Sequence, residues 1–455
     1  MAEYRNVRME TTVMAEWRED DPKAAVHVYE TGLVPDAKNA ENQVINLYPG
    51  VTYQTIRGFG GALTEASGAA LAGLSEKNRE KVIGTYFGPE GIGYSLGRIH
   101  VDSCDFSVSN YCAIENGEDD AFADFSLAED EKYLLPLVRA VAKKAGQIPL
   151  LLSPWSPPAV FKDTGVRNGG GKLLPGYRKR YASYICRYIR ALRESGANVA
   201  WFSLQNEPLA VQTWDSCTYT SAEEKELLKE VHAAFLREGL SDIGIYIWDH
   251  NKERVYERAC EILDEETRPM VEGIAYHWYS GDHFDTLRMA REAFPGIRLM
   301  HSEGCVGMPE NREFGMDPVK AAFAYAKDIC GDLKAGMDAW TDWNICLDAK
   351  GGPNHVGNFC DAPIICDGEA DRVIYRRTFG AIRHFSAWMK PGAVLAGSSC
   401  YTGALQEAAA INPDGSAVMT VINEGTEPVR ATLRTCGKCA ALLFPAGSVS
   451  TVAVR

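Results

Sequence analysis

Val199-Ala200-Trp201-Phe202-Ser203-Leu204-Gln205-Asn206-Glu207-Pro208 is an apolar, strand-like run that ends on a glutamate. Ile297-Arg298-Leu299-Met300-His301-Ser302-Glu303-Gly304 repeats the form, with a strand-like run at Ile297–Met300 and a glutamate just beyond it. If both runs are strands of one parallel barrel, their C-terminal ends share one rim, and the two carboxyls face the same mouth.

The surrounding sequence supports a barrel, because strand and helix patterns alternate on both sides of these runs. Thr55–Phe59 reads as a first strand, followed by an amphipathic helix to about Phe87. Tyr94–His100 and Ile148–Leu152 are the second and third strands, with a helix near Leu127–Lys144 between them. Tyr177, Tyr181, Tyr184, Ile185, Tyr188, Ile189 and Leu192 then recur at helical spacing. After the fourth strand, Ser221-Ala222-Glu223-Glu224 has the form of a capping box opening a helix. Ile243–Trp248, Ile274–Tyr276, Ile297–Met300 and Ala339–Asn344 complete the strands, and a last helix falls near Ile374–Trp388. Eight such units across residues 54–390 predict an α/β fold, a (β/α)8 TIM barrel. An open nucleotide-binding sheet would carry a G-x-G-x-x-G or P-loop after its first strand, and neither occurs.

Both flanks read differently. Within residues 1–53, Thr11–Trp17, Ala25–Tyr29 and Val44–Tyr48 are short β-like runs, too few to form a stable sheet alone. Within residues 391–455 the period falls to two. Ala408–Ile411 and Ala417–Ile422 flank the turn Asn412-Pro413-Asp414-Gly415, and Val429–Leu433, Ala440–Phe444 and Ser448–Val454 follow. A β-sandwich side domain built from both chain termini is expected, as packing support for the barrel.

Over 455 residues, 46% hydrophobic and 24% charged content is that of a globular protein. A formal charge of −14 without a dense Lys/Arg patch argues against a nucleic-acid partner. No apolar run approaches the length of a membrane span. The polar opening Met1-Ala2-Glu3-Tyr4-Arg5 reads as a cytoplasmic protein, or as one whose leader has been removed. Thirteen irregularly spaced cysteines suggest free thiols in a reducing compartment, and no N-x-S/T sequon occurs. Cys436-Gly437-Lys438-Cys439 lacks the second pair of a zinc ribbon and reads as a turn between strands.

Barrel active sites lie at the C-terminal ends of the strands. That rule selects Asp102, Asp105, Trp155, Asn206, Glu207, Asp249, His250, His277 to Tyr279, Glu303 and Trp343. Carboxyls and aromatics dominate this set, and Arg98 within the second strand is its only cation. Aromatic faces match the C–H faces of sugar rings, and carboxyl and amide groups match hydroxyls. Two carboxyls facing each other across a cleft are the minimal equipment for breaking a glycosidic bond. Pro208 disfavours a helical backbone at Glu207, so the chain is expected to stay extended there. His277 raises the possibility of a metal barrel, but no His-x-His or similar cluster accompanies it, and no metal or cofactor is expected. His301 reads as a packing group.

Several stretches together resemble glycoside hydrolase family 30, the glucosylceramidase-like branch of the retaining (β/α)8 glycosidases. They are Gly58-Phe59-Gly60-Gly61-Ala62, Ser103-Cys104-Asp105-Phe106-Ser107, Ser153-Pro154-Trp155, Asn206-Glu207-Pro208, His277-Trp278-Tyr279, Ser302-Glu303-Gly304-Cys305, Trp340-Thr341-Asp342-Trp343-Asn344 and Gly351-Gly352-Pro353-Asn354. They occur in the family's order and span most of the chain. The resemblance implies Glu207 as general acid/base and Glu303 as nucleophile. It implies Asn206 on the sugar 2-hydroxyl, and Asp105, Trp155, Trp343 and Asn358 around the rest of the glycone. Tyr279 would sit against the nucleophile, His277 would join the substrate-binding set, and Arg98 would help keep Glu303 ionised. The implied substrate is a carbohydrate or glycolipid, foremost a β-glucoside of the glucosylceramide or β-1,6-linked kind. β-Xylosides and a non-catalytic carbohydrate-binding barrel are the alternatives. Leu209 to Cys217, after the acid/base, departs from lysosomal lipid enzymes.

The chemistry sets electrostatic demands. Glu303 must be an anion to attack the anomeric carbon, and Glu207 must carry a proton to assist the leaving group. A neighbouring anion and burial are expected to raise the pKa of Glu207.

Overall fold

Eight parallel strands close into a barrel in sequence order: Gly58–Ala62, Leu96–Val101, Leu150–Pro154, Val199–Ser203, Gly244–Asn251, Gly273–His277, Arg298–Glu303 and Ala339–Asp342. The coordinates are a computed structural model that describes residues 4–37, 41–116, 121–311 and 315–455. The closed ring matches the barrel expectation, with most strands starting one to three residues later than the apolar runs suggest.

The first strand differs most, because Thr55 ends a long strand, Val44–Thr55, of the second sheet. Gly58-Phe59-Gly60-Gly61-Ala62 has poor strand propensity, yet the barrel requires small residues there. A Cβ on Gly60 would meet the Leu96 carbonyl oxygen at 2.0 Å, and one on Gly61 would meet Ile345 at 2.6 Å. The following helix is two helices, Glu65–Ala72 and Glu76–Phe87, because Ser75 caps a new N-terminus through Asn78 N. The predicted capping box is present but lies one residue earlier, with Thr220 and Glu223 bonding each other's backbone at the start of Ser221–Arg237.

Leu96, Leu151, Trp201, Tyr246, Ala275, Met300 and Ala339 fill the barrel interior below the site. Arg57 lies over the Trp201 ring at 4.7 Å and pairs with Asp338 and Glu272. The tyrosine helix, Arg178–Glu194, buries Tyr181, Tyr184 and Tyr188 completely. The Tyr184 hydroxyl donates to Asp102 Oδ1 at 2.6 Å, and Arg167 pairs with Asp102 Oδ2 at 3.0 Å. Asp102 is thereby tied to the scaffold, although it lies at a strand end.

Among the described residues the second sheet has ten strands, three of them before Val44–Thr55 and six after residue 393. Val7, Met9, Ile45, Leu47, Met419, Leu433 and Phe444 meet in its own core. Its strand Val394–Cys400, paired along Val44–Thr55, has no counterpart in the sequence reading, since Val-Leu-Ala-Gly-Ser-Ser-Cys shows no alternation. Cys436 and Gly437 take positive φ (49° and 73°) in the tight turn between Val429–Thr435 and Lys438–Phe444, so the C-x-x-C stretch is a hairpin turn.

Val418, Ile422, Val449 and Ala453 join the same core as Ile382, Phe385 and Leu333 of the barrel helices. His384, fully buried, bonds the Thr451 and Thr12 hydroxyls at 2.8 Å each. One face of the sheet is thus continuous with the barrel's core. Among the described residues no helix is long and apolar enough to cross a membrane.

Candidate active site

Glu207 and Glu303 meet over His277 at the C-terminal mouth of the barrel. His277 Nδ1 lies 3.1 Å from Glu207 Oε1 and 3.8 Å from Glu303 Oε1. All three groups offer donor atoms within 4.8 Å of one another. The two carboxyls therefore converge, although 96 positions separate them in the chain.

Backbone bonds to neighbouring strand ends position Glu207. Asn206 N donates to Pro154 O at 2.8 Å, and Glu207 N donates to Asp249 O at 2.9 Å. Ala210 N then closes a turn onto Glu207 O at 2.9 Å. These three bonds hold Glu207 at φ 48°, in the left-handed region rather than the extended conformation expected before Pro208. A non-glycine residue there costs about 1–2 kcal/mol. Asp249 (φ 52°) and Trp248 (φ 72°) show the same strain at the end of strand five.

Arg98 organises the floor. It is fully buried, and its donors reach four side chains. Nη1 donates to Glu303 Oε2 at 2.5 Å, Nη2 to Asn206 Oδ1 at 2.8 Å and Asp249 Oδ2 at 2.9 Å, and Nε to Ser153 Oγ at 3.1 Å. Its guanidinium lies 4.9 Å from the Trp155 ring and 5.3 Å from the Trp343 ring. Burial alone would lower the pKa of Arg98, but Asp249 and Glu303 outweigh it and the net shift is upward.

Asp249 is the residue whose weight the sequence reading missed. It belongs to the strand-end set, but nothing in the sequence marks it as the hub. It accepts from Arg98, from Ser302 Oγ at 2.5 Å and from Ser153 Oγ at 3.0 Å, and His277 Nε2 lies 3.2 Å away. Burial opposes its ionisation, yet Arg98 and His277 hold its carboxyl well below the usual range.

His277 departs from its expected place among sugar-binding groups. It is fully buried, and both ring nitrogens are engaged by carboxylates. Burial lowers its pKa, but Glu303, Asp249 and Glu207 more than reverse this and raise it to about 9. Glu207 is the corresponding correction. Burial pushes its pKa up, as expected, but His277 outweighs burial and the net shift is downward. The two shifts run in opposite directions across one hydrogen bond, upward at His277 and downward at Glu207.

The remaining expected residues line the same mouth. The Tyr279 hydroxyl donates to Glu303 Oε1 at 2.9 Å. Trp155 and Trp343 stack at 5.2 Å and 21°. Asn358 Nδ2 donates to Asp105 Oδ2 at 2.9 Å, while Asp105 Oδ1 is buried without a partner. Burial and the Glu303 charge raise Asp105 to about 8. A buried polar oxygen without a partner is costly and invites a hydroxyl, which can both donate and accept. Trp214 is half-buried against the cluster containing Trp155 and Trp343. His301 stacks on Trp340 at 5.5 Å and 13°, which fits a packing role.

Among the described residues, two clusters bring metal-ligating atoms together. In Glu207, His277 and Glu303, Arg98 and a doubly engaged imidazole already neutralise the carboxylates. In His301, Asp328 and Asp332, the buried Lys252 ammonium already pairs with both aspartates. A metal ion would have to displace a resident cation in either place.

Comparison with known proteins places this geometry. The profile of the glycosyl hydrolase family 30 TIM-barrel domain matches residues 56–389, and that of the family's beta sandwich domain matches residues 392–452. The chain belongs to glycoside hydrolase family 30. The lysosomal acid glucosylceramidase of Mus musculus is 30% identical to it over 422 residues, covering 88% of this chain and 81% of the mouse protein. The endo-1,6-beta-D-glucanase neg1 of Aspergillus fumigatus is 26% identical over 399 residues, covering 81% and 78% respectively. The crystal structure of SrfJ from Salmonella typhimurium superposes with a TM-score of 0.93 at 33% identity, covering 99% of each chain. As a family 30 chain, the protein is a glycoside hydrolase.

Proposed function

We propose that this family 30 hydrolase cleaves β-glucosidic bonds with retention, by double displacement through a covalent glycosyl-enzyme. One observation carries the reading: oxygens of Glu207 and Glu303 lie within 4.8 Å of each other. Retaining enzymes hold their carboxyls about 5–5.5 Å apart, whereas inverting ones need about 6.5–9.5 Å to admit a water.

Glu303 is the nucleophile. Arg98 and the Tyr279 hydroxyl each bond one of its oxygens, which favours the anion and orients it. Glu207 is the acid/base, and its proton comes across the 3.1 Å bond from His277 as the leaving oxygen accumulates charge. The ester bond to the sugar then neutralises Glu303, the first of the charges that keep His277 protonated. Glu207, again a carboxylate, takes a proton from the incoming water.

Asn206 Nδ2 has no protein partner among the described residues and is left for the 2-hydroxyl, since Arg98 holds only the amide oxygen. Asp105 Oδ1 is left to bond a further hydroxyl. Trp155 and Trp343 face the ring.

Loops at the strand ends expose Leu209 (40%), Val211 (66%), Tyr279 (43%) and Phe359 (41%). Apolar surface on these loops favours a leaving group with apolar surface, as in an aryl or lipid glucoside. β-1,6-Glucan is the second reading, supported by the glucanase relative.

Glu207→Gln tests the acid/base role. Hydrolysis of an alkyl β-glucoside, whose leaving group needs protonation, is expected to fall by about 10²–10⁴-fold. A dinitrophenyl β-glucoside should still glycosylate Glu303, giving a burst followed by slow turnover that azide accelerates. Equal losses on both substrates, with no burst, would show that Glu207 has another role.

A further inference from the structure

Two thiols beside the nucleophile take no part in the chemistry above. Cys305 lies two residues beyond Glu303 and is 9% exposed. Its Sγ lies 3.4 Å from the Tyr279 hydroxyl, which donates to Glu303 Oε1. A phenol has one proton, and here it points to the carboxylate. The Cys305 S–H must therefore be the donor in the Cys305–Tyr279 contact.

Cys360 reaches the same spot on the segment after strand eight, which also carries Asn358 to Asp105. Backbone bonds clamp that segment beside strand seven's extension. Asp361 N donates to Val306 O at 2.8 Å, and Gly307 and Cys360 form an antiparallel bridge. Cys360 thus sits opposite Gly307, two residues along the strand extension from Cys305, and both cysteines pack into the cluster of Trp155 and Trp343. Cys360 is half-buried, and both sulfurs are free thiols.

We propose that Cys305 and Cys360 form a modification site, at which a small-molecule disulfide closes an intramolecular bridge that slows hydrolysis. The Cys360 thiolate, the more accessible, attacks one sulfur of the reagent and releases one thiol. Cys305 then attacks the Cys360 sulfur of the mixed disulfide and releases the second. Two protein thiols are oxidised, one external disulfide is reduced to two thiols, and the two protons leave with them. The bridge removes the S–H that Cys305 donates to Tyr279, so the hydroxyl aligned on Glu303 loses its support. It also ties the Asn358 segment to the nucleophile strand. A second thiol pair, Cys346 and Cys366, is completely enclosed and out of reach of the same reagent, which makes it an internal control.

The consequence for turnover rests on Glu303 being the nucleophile; formation of the bridge does not. The test treats the full chain with oxidised glutathione, maps disulfide-linked peptides by mass spectrometry, and follows aryl β-glucoside hydrolysis before and after dithiothreitol. A Cys305–Cys360 peptide is expected, with kcat/KM about tenfold lower, the size of one weakened hydrogen bond to a charge, and full recovery on reduction. Cys360→Ser and Cys360→Ala should keep basal activity and become insensitive. The proposal is overturned if oxidation links other cysteines but not this pair, if the bridge forms without slowing hydrolysis, or if either Cys360 variant is inhibited like the parent. The peptide map needs no turnover, so a missing bridge is distinguishable from a wrong nucleophile.

Discussion

Glu303→Gln is expected to lower kcat by about 10⁴-fold or more on every β-glucoside, whatever its leaving group. The neutral amide is a poor nucleophile and supplies no negative charge beside the developing oxocarbenium ion. Its Nε2 would also place a donor against either Arg98 Nη1 or the Tyr279 hydroxyl, both of which now donate to Glu303. This uniform loss differs from that of Glu207→Gln, which should depend on the leaving group. The site beyond Glu303 stays in place, so substrate binding measured by calorimetry should change little. A 2-deoxy-2-fluoro glucoside with a good leaving group should label the parent at Glu303 and leave the variant unlabelled. Labelling of any other carboxylate would reassign the nucleophile.

Arg98→Gln is expected to destabilise the fold by about 3–5 kcal/mol, because it removes one of the two cations, Arg98 and His277, that balance the buried carboxylates of Asp249 and Glu303. Arg98 and Asp249 are fully buried, and the Glu303 side chain is 8% exposed, so water screens this cluster little. The pH dependence has a definite sign. The folded-state pKa of Asp249 lies below its ordinary value of 3.8. The corresponding stability is present above that value and is lost as pH falls through it towards the folded pKa. The gap in melting temperature between parent and variant should therefore be widest near neutrality and narrow below about pH 4. Activity should fall with stability, since Arg98 also aligns Asn206 and Glu303. Equal gaps at pH 3 and pH 7 would show that the loss comes from packing.

The barrel was legible because each strand after the first carries its own apolar run, and because two of the runs end on glutamates. The first strand was misplaced, since Gly58-Phe59-Gly60-Gly61-Ala62 is chosen for close approach to Leu96 and Ile345 rather than for strand propensity. The side sheet was legible from its period of two, except for Val394–Cys400, which is made of small residues. The candidate residues other than Arg98 and Asn358 were legible as strand ends, but the ranking among them was not. Nothing in Trp248-Asp249-His250 distinguishes Asp249 as the acceptor of four side chains. That role exists only once Arg98, Ser153, His277 and Ser302 converge from strands two, three, six and seven. For the same reason His277 was placed among sugar-binding groups, and the downward shift of Glu207 was not foreseen: both depend on contacts between distant strands.

The central claim is that a sugar is held covalently on Glu303 after Glu207 has helped the leaving group depart. Proton NMR of the first glucose released from an aryl β-glucoside tests it most directly, read before mutarotation scrambles the anomers. The β-anomer should appear first, with the α-anomer growing only at the spontaneous rate. Initial release of the α-anomer would mean that water attacks the sugar directly, and would contradict the account.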